Sequence, residues 1–270
     1  MTNIKDKNIL ITGGARGIGK KLGRFCLEAG AAKIIIWDIN QENLEKTQKE
    51  WTTAGYQVLT QIVDMSNSDT IYQAANQLLE QNQPVDILVN NAGIVAGKRF
   101  DQHSNEDIQK TIDINVSGVM HCTRAFMDHF NGKSAGHIVN IASAAAYTPT
   151  PNMVVYVGSK WAVLGWSESL RVELEKQKSN IKVTTICPSY INTGMFEGAK
   201  GPVLSPILDE DVAARNILTA IQGNKIIKRM PWGVNLLPIV RGLLPTRWYD
   251  KIIGKGFKVY TSMDEFMGHR

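Results

Sequence analysis

A short apolar run, NILIT at Asn8 to Thr12, passes without a break into TGGARGIG and then into a segment whose apolar residues Leu22, Phe25, Cys26 and Ala29 recur at helical spacing. Strand, glycine turn and helix in that order leave few architectures open. A run that is apolar at every position suits a strand buried on both faces, as in a parallel sheet. Gly13, Gly17 and Gly19 remove side chains where the backbone must turn sharply and approach a pyrophosphate. The N-terminus of the helix that follows, Lys20 to Ala29, then offers unpaired N–H groups to that anion.

The next strand, KIIIW at Lys33 to Trp37, ends in Asp38, about twenty residues beyond the glycines. A carboxylate there can accept hydrogen bonds from an adenosine ribose and repels a 2'-phosphate, which favours NAD over NADP. Arg16, inside the glycine turn, points the other way because it can meet that phosphate. Asp38 can also cap the following helix, and the two roles are compatible. A strand near 57–63 leads to Asp64, placed to bond an adenine amine or simply to close a polar strand end. The strand at Val85 to Val89 runs into NNAG, Asn90 to Gly93. Strands continue to alternate with helices, near Asp69 to Gln81, Asn105 to Phe130, Tyr156 to Glu175 and Leu208 to Ile221, with no polar linker and no repeat. The economical solution is α/β: one Rossmann-type, doubly wound parallel sheet with helices on both faces.

Composition narrows the partners. At 270 residues with 43% hydrophobic content, one large domain is expected. The net charge of +5 allows an anionic ligand or surface, but the basic residues form no long run, so nucleic acid is not indicated. Cys26, Cys122 and Cys187 are widely spaced, with no pattern for a disulfide framework or a metal site. No apolar stretch reaches the length of a bilayer span, and the chain begins almost at its first strand, so a soluble cytoplasmic protein is expected.

Tyr156 and Lys160, in YVGSK, stand one helical turn apart, which brings an ammonium near a phenol. A free tyrosine titrates near ~10. Lowering it by roughly three units takes about 4 kcal/mol of preferential phenolate stabilisation, within reach of a lysine and a cationic cofactor ring acting together. Tyr156 would then act as a general acid and base. Ser143 lies just upstream, at the end of a strand from His137. Asn115 falls inside the apolar stripe Ile108, Ile112, Val116, Val119, Thr123 and Phe126, where a buried asparagine needs partners for its amide.

In this order and spacing, TGGARGIG, Asp38, Asp64, NNAG, Asn115, Ser143, YVGSK and PSYINT resemble the short-chain dehydrogenase/reductase family over about residues 5 to 225. The resemblance implies seven strands, a nicotinamide dinucleotide, and a tetrad of Asn115, Ser143, Tyr156 and Lys160. It further implies that Tyr156 exchanges a proton with the substrate oxygen, Ser143 polarises that oxygen, Lys160 holds the nicotinamide ribose, and Asn115 keeps a water in the relay. Cofactor contacts are implied at Gly13, Arg16, Gly17, Ile18, Gly19, Asp38, Asp64, Asn91, Ala92, Gly93, Tyr156, Lys160, Pro188, Ile191 and Thr193. NAD(H) is the expected cofactor, with NADP(H) the alternative, and a homodimer or homotetramer is expected.

CPSYINTGMFEG, the SPIL segment and the chain beyond Gln222 resemble the branch containing retinol and 17-beta-hydroxysteroid dehydrogenases, which implies a bulky hydrophobic alcohol or carbonyl substrate. Residues 1–225 would form the dinucleotide-binding and catalytic domain, with 189–208 a substrate loop, and 226–270 an extension packed on it. In that extension Trp232, Leu236, Leu243, Trp248 and Ile252 interleave with Arg241, Arg247, Lys251 and Lys255. Such a pattern can lie on a membrane surface, line a substrate entrance, or pack on its own domain or a second subunit. Trp161 and Trp166 read as core or subunit interface. Two other functions compete with the leading one: an NADPH-dependent reductase of small or aromatic ketones, and a nonenzymatic dinucleotide-binding sensor or scaffold. The latter has no need of four complete catalytic side chains.

Overall fold

The computed structural model describes residues 1–268 except 134 and 204. Its seven strands are all parallel: β1 (Asn8–Thr12), β2 (Lys33–Asp38), β3 (Val58–Ile62), β4 (Ile87–Asn90), β5 (Gly136–Ile141), β6 (Ile181–Pro188) and β7 (Ile227–Met230). They lie in the order β3-β2-β1-β4-β5-β6-β7. The winding reverses between β1 and β4, and the crevice beyond the carboxyl ends at such a point is where this architecture receives ligands. The glycine turn and NNAG flank that crevice from its two sides. Leu204 in the expected substrate loop, and His269 and Arg270 at the end of the extension, lie outside the described residues.

Because successive strand residues point to opposite faces, Ile9 and Ile11 join one core and Leu10 the other. The first core is closed by α1 (Gly17–Glu28), α2 (Gln41–Thr53) and α7 (Glu210–Gln222) through Leu22, Trp51 and Ile217. The second is closed by α3 (Ser68–Glu80), α5 (Gly118–Asn131) and α6 (Val154–Lys176) through Ile71, Phe126 and Leu174. Burial of each such aliphatic or aromatic side chain contributes about 1.5–3 kcal/mol.

The continuous helix expected from Asn105 to Phe130 is broken. It comprises α4 (Asn105–Ile112), a π-helical turn (Asp113–Ser117) and α5. Where α5 begins, a Cβ on Gly118 would lie 2.3 Å from the Met65 carbonyl oxygen, so the helix is seated directly on the β3–α3 connection. The wider turn carries Asn115 inward with no exposed surface. The last helix of the Rossmann unit also begins later than Leu208. Asp209 caps it by accepting from the Asp211 and Val212 N–H groups, and Leu208 instead bridges to Ile191.

Beyond β7 the extension folds back as a short 3-10 turn (Trp232–Asn235), α8 (Leu236–Leu243), α9 (Thr246–Tyr249) and a π-helical turn (Asp250–Gly256). It packs against the carboxyl end of the sheet, with Leu237 and Val234 on the cluster that holds Ala144, Tyr147 and Cys187.

Candidate active site

A groove of about 190 Å³ opens at the switch point. Gly13, Arg16, Gly17, Ile18, Asp38, Asp64, Asn91, Ala92, Gly93, Tyr156, Lys160, Pro188, Ile191 and Thr193 all line it. Gly19 is buried beneath. Gly13 has φ +61, and a Cβ on it would stand 2.9 Å from Ala92 Cα. A Cβ on Gly19 would stand 2.5 Å from the Gly13 oxygen and 2.6 Å from Asn91 Nδ2. The turn can therefore rest on NNAG only because both side chains are missing.

The clasp between the two loops is polar. Thr12 Oγ1 accepts from the Asn91 and Ala92 N–H groups at 3.0 Å, while Asn91 Nδ2 donates to the Thr12 and Gly13 carbonyls at 2.9 and 3.0 Å. Asn91 thus spends its amide on shaping the turn. Thr12 and Gly14 were not among the expected residues. Gly14 packs on β1 and β2, where a Cβ would meet the Ile11 oxygen at 3.0 Å.

Asp38 is buried, with Oδ2 accepting from Ala15 N and Oδ1 from Asn40 N, both at 3.1 Å. It therefore faces the groove while bonding two loop N–H groups, and the cap of α2 is Asn40 instead, whose Oδ1 accepts from Asn43 N at 2.8 Å. Arg16 is exposed along the same groove. Asp64 Oδ1 accepts from the Ser66 N–H and hydroxyl at 2.8 and 2.7 Å.

At the other end stand the four expected catalytic side chains. Ser143 closes β5 and caps a 3-10 turn, Ala144–Ala146, its Oγ accepting from Ala145 N at 3.1 Å. The same hydroxyl donates to the Pro188 carbonyl at 3.3 Å and faces the Tyr156 phenol. Lys160 Nζ donates to the Ile141 carbonyl at 2.9 Å and lies 5.6 Å from the centre of the Tyr156 ring. Gly93 abuts two of the four. A Cβ there would be 3.2 Å from Asn115 Oδ1 and 3.5 Å from Lys160 Nζ.

One expectation changes here. The phenol was expected to be lowered, yet burial pushes the Tyr156 pKa up, the nearby Ser143 hydroxyl only partly opposing it. The reason is that Lys160 is spent on Ile141 and is itself pushed down to about 8 by burial. The chain alone keeps the phenol protonated, and the lowering would have to come from charge brought by the bound dinucleotide. Asn115 is the buried amide that finds its own partners. Its Nδ2 donates to the Ile94 carbonyl and Ser159 Oγ, and its Oδ1 accepts from Ile94 N. A relay water is left only the remaining lone pair of Oδ1.

Lys160 gives a pH prediction. Its folded pKa of about 8 lies below the ~10.4 of an unfolded chain, so between those values the unfolded chain binds a proton that the folded one lacks. Stability then rises with pH across that window, the buried ammonium costing on the order of 3 kcal/mol below it. In urea midpoints, Lys160→Met should gain on the wild type at pH 7, with the gap closing toward pH 10.

A second, apolar cavity of about 410 Å³ meets the groove at Ser143, Ser189 and Phe196, which line both. Its floor is Ala144, Ala145, Met153 and Tyr190, and its far wall is the extension: Val234, Leu237, Val240, Leu244, Ile253 and Phe257. Tyr190 hydrogen-bonds Ser262 at 2.8 Å, and its ring packs edge-on against Phe196. The extension also grips the segment that carries Ser143. Arg241 Nη1 and the Tyr249 hydroxyl both donate to the Tyr147 carbonyl, at 3.2 and 3.4 Å. Arg241 lies 4.4 Å over the Trp161 ring, and Trp161 Nε1 donates to the Ala145 carbonyl at 2.8 Å. Trp161 is thus part of this grip and not core, with 38% of its surface exposed.

The groove fits a nicotinamide dinucleotide: a side-chain-free floor for the pyrophosphate, a carboxylate for the ribose at one end, and a lysine beside a protonated phenol at the other. Among the described residues no group of three metal-ligating side chains occurs. The model of the short chain dehydrogenase family matches residues 7–201, and the chain belongs to that family, a class of NAD(P)-dependent oxidoreductases. It is 34% identical over 249 residues to mouse epidermal retinol dehydrogenase 2, covering 91% of this chain and 80% of the relative. It is 34% identical over 265 residues to human estradiol 17-beta-dehydrogenase 11, covering 93% and 87%. Among solved structures, a short chain dehydrogenase/reductase from Burkholderia phymatum in complex with NAD superposes with a TM-score of 0.81 at 26% identity, covering 94% of this chain and 97% of that one.

Proposed function

We propose that the protein transfers a hydride between NAD(H) and an alcohol/carbonyl pair on a hydrophobic substrate of retinoid, steroid or fatty type. One observation carries this reading: a large apolar cavity joins the dinucleotide groove at the Ser143 hydroxyl. The names of the relatives, a retinol and an estradiol dehydrogenase, support the same substrate class.

When bound, the dinucleotide supplies or accepts the hydride at its nicotinamide ring. The chain's own residues handle the proton and the geometry. Ser143 orients and polarises the substrate oxygen, and Tyr156 gives that oxygen a proton in reduction or takes it in oxidation. A phenol held protonated by burial is ready for the reductive direction. Lys160 supplies charge near the nicotinamide ribose, and Asn115 fixes the Ile94 segment under the same end of the groove. Residues 1–225 act as the dinucleotide-binding and catalytic domain, 189–208 as its substrate loop, and 226–270 as the wall that excludes water.

NAD is preferred because Asp38 occupies the place where a 2'-phosphate would lie; the exposed Arg16 supports the rival NADPH reading. We further propose a cytoplasmic homodimer or homotetramer in which a second copy covers the exposed Val154 and Val172 of α6, with peripheral membrane contact through the extension. No helix among the described residues is long and apolar enough to cross a membrane.

The test is turnover followed by absorbance, with NAD and NADP each offered retinol, a long-chain alcohol, a hydroxysteroid and a small secondary alcohol. A bulky alcohol should be oxidised with NAD, and Asp38→Ala should narrow the preference over NADP by about tenfold, the worth of roughly one charge-assisted contact. Turnover confined to NADP would overturn the cofactor assignment, and turnover confined to the small alcohol would overturn the substrate class.

A further inference from the structure

The cavity does not end inside the protein. Leu243 at the end of α8 and Ile252 in the last π-helical turn both line it, yet are 77% and 39% exposed, so they form its rim. The same extension carries further exposed apolar side chains, with Trp232, Ile239 and Trp248 each more than half exposed. Large side chains of this kind grouped on one surface need an occupant.

Charge indicates which. Residues 231–258 hold five basic side chains, Arg241, Arg247, Lys251, Lys255 and Lys258, against a single acidic one, Asp250. Most of the chain's net charge of +5 therefore sits in this short stretch. Asp250 offsets one of them, its Oδ2 lying 3.7 Å from Arg247 Nη1 while its Oδ1 accepts from the Tyr260 hydroxyl at 2.5 Å, which leaves four net positive charges on the stretch. The Arg247 side chain is 93% exposed, and Lys251 and Lys255 alternate with Trp248 and Ile252 along one edge. Apolar side chains that can enter hydrocarbon, tryptophans suited to the headgroup layer, and cations on long stems that reach back to phosphate are the makings of an interfacial surface. Each lysine or arginine near an anionic leaflet strengthens binding by about fivefold.

We propose that this rim docks on an anionic lipid bilayer and that a lipophilic substrate passes from the bilayer between Leu243 and Ile252 into the cavity. The proposal rests on the hydrophobic-substrate reading for its passenger, but the docking surface stands on the extension alone. Docking would also place the mouth where a poorly soluble alcohol is concentrated, so that substrate need not cross water to reach Ser143.

The experiment floats the full-length protein with vesicles of phosphatidylcholine alone and of phosphatidylcholine mixed with phosphatidylserine. Binding is expected only to the mixed vesicles, weakening steeply as salt is raised. The triple variant Trp248→Glu, Lys251→Glu, Lys255→Glu alters exposed positions outside the cavity and should lose at least tenfold in vesicle affinity while binding NADH as the wild type does. It should also turn over a long-chain alcohol held in mixed vesicles at least tenfold more slowly, yet match the wild type when the alcohol is given in detergent micelles. No flotation with mixed vesicles at low salt, or flotation unchanged in the triple variant, overturns the proposal. A concentration-dependent dimer that the variant abolishes, with no vesicle binding, would assign the surface to a second copy instead. Vesicle binding without turnover of any bulky alcohol leaves docking in place and sinks the substrate reading.

Discussion

Replacing Tyr156 with phenylalanine should lower kcat/KM by roughly 100-fold to 10,000-fold, the range attributed to a positioned general acid or base, with dinucleotide affinity nearly unchanged. The split follows from where the atoms are. Tyr156 is 5% exposed and its ring packs edge-on against Phe196, so a phenyl ring keeps the shape of the site. What is lost is one hydroxyl, facing Ser143 and held protonated by burial. Turnover by absorbance and NADH binding by fluorescence separate the two effects. Equal losses in both would mean that Tyr156 shapes the groove and that another group moves the proton.

Much of this site is legible in the chain because its contacts are local or recur by type. Gly13, Gly17 and Asp38 lie at the ends of two strands that pair in register, Asn8 with Lys33 through Thr12 with Trp37, so a strand, a turn and a carboxylate suffice to place them. Tyr156 and Lys160 are neighbours on one helix. Features that depend on distant packing are not legible. Thr12 closes the clasp only because β4 brings Asn91 beside it, and nothing in NILIT itself distinguishes that hydroxyl. The close seat of Gly118 depends on the carbonyl of Met65, more than fifty residues before it. The direction of the Tyr156 shift depends on how deeply the ring is enclosed, which an i, i+4 spacing does not contain.

The extension shows the limit most clearly. Interleaved apolar and basic residues are compatible with membrane contact, a substrate entrance, or packing, and the structure divides one stretch among these duties. Leu237, Val240 and Leu244 face the cavity, Arg241 grips the Ser143 segment through Tyr147 and Trp161, Leu243 forms the cavity's exposed rim, and Trp248 faces outward. A side chain's duty here is set by its face on α8, whose two sides meet different surroundings. The grip also means that the wall of the substrate cavity and the orientation of the catalytic serine are mechanically joined, since Arg241 and Ser143 act on the same short backbone segment from its two ends.

At the opposite end of the groove, Gly19→Ala should cost dinucleotide affinity about 100-fold. The added methyl would lie 2.5 Å from the Gly13 oxygen and 2.6 Å from Asn91 Nδ2, and neither can retreat cheaply. Gly13 is backbone in a left-handed conformation, and Asn91 is bound to the Thr12 and Gly13 carbonyls. Relief must therefore come from parting the glycine turn from NNAG, with loss of those two hydrogen bonds. At roughly 1 to 2 kcal/mol for each broken, partly buried bond, the cost approaches 3 kcal/mol, or about two decades in binding. Gly158→Ala provides the control, because a Cβ at that helical position meets nothing within 4 Å. NADH titrations of the two variants, with thermal midpoints to verify folding, should show the loss in Gly19→Ala alone. Unchanged affinity there would mean that the turn has slack and that the side-chain-free floor is not what admits the pyrophosphate.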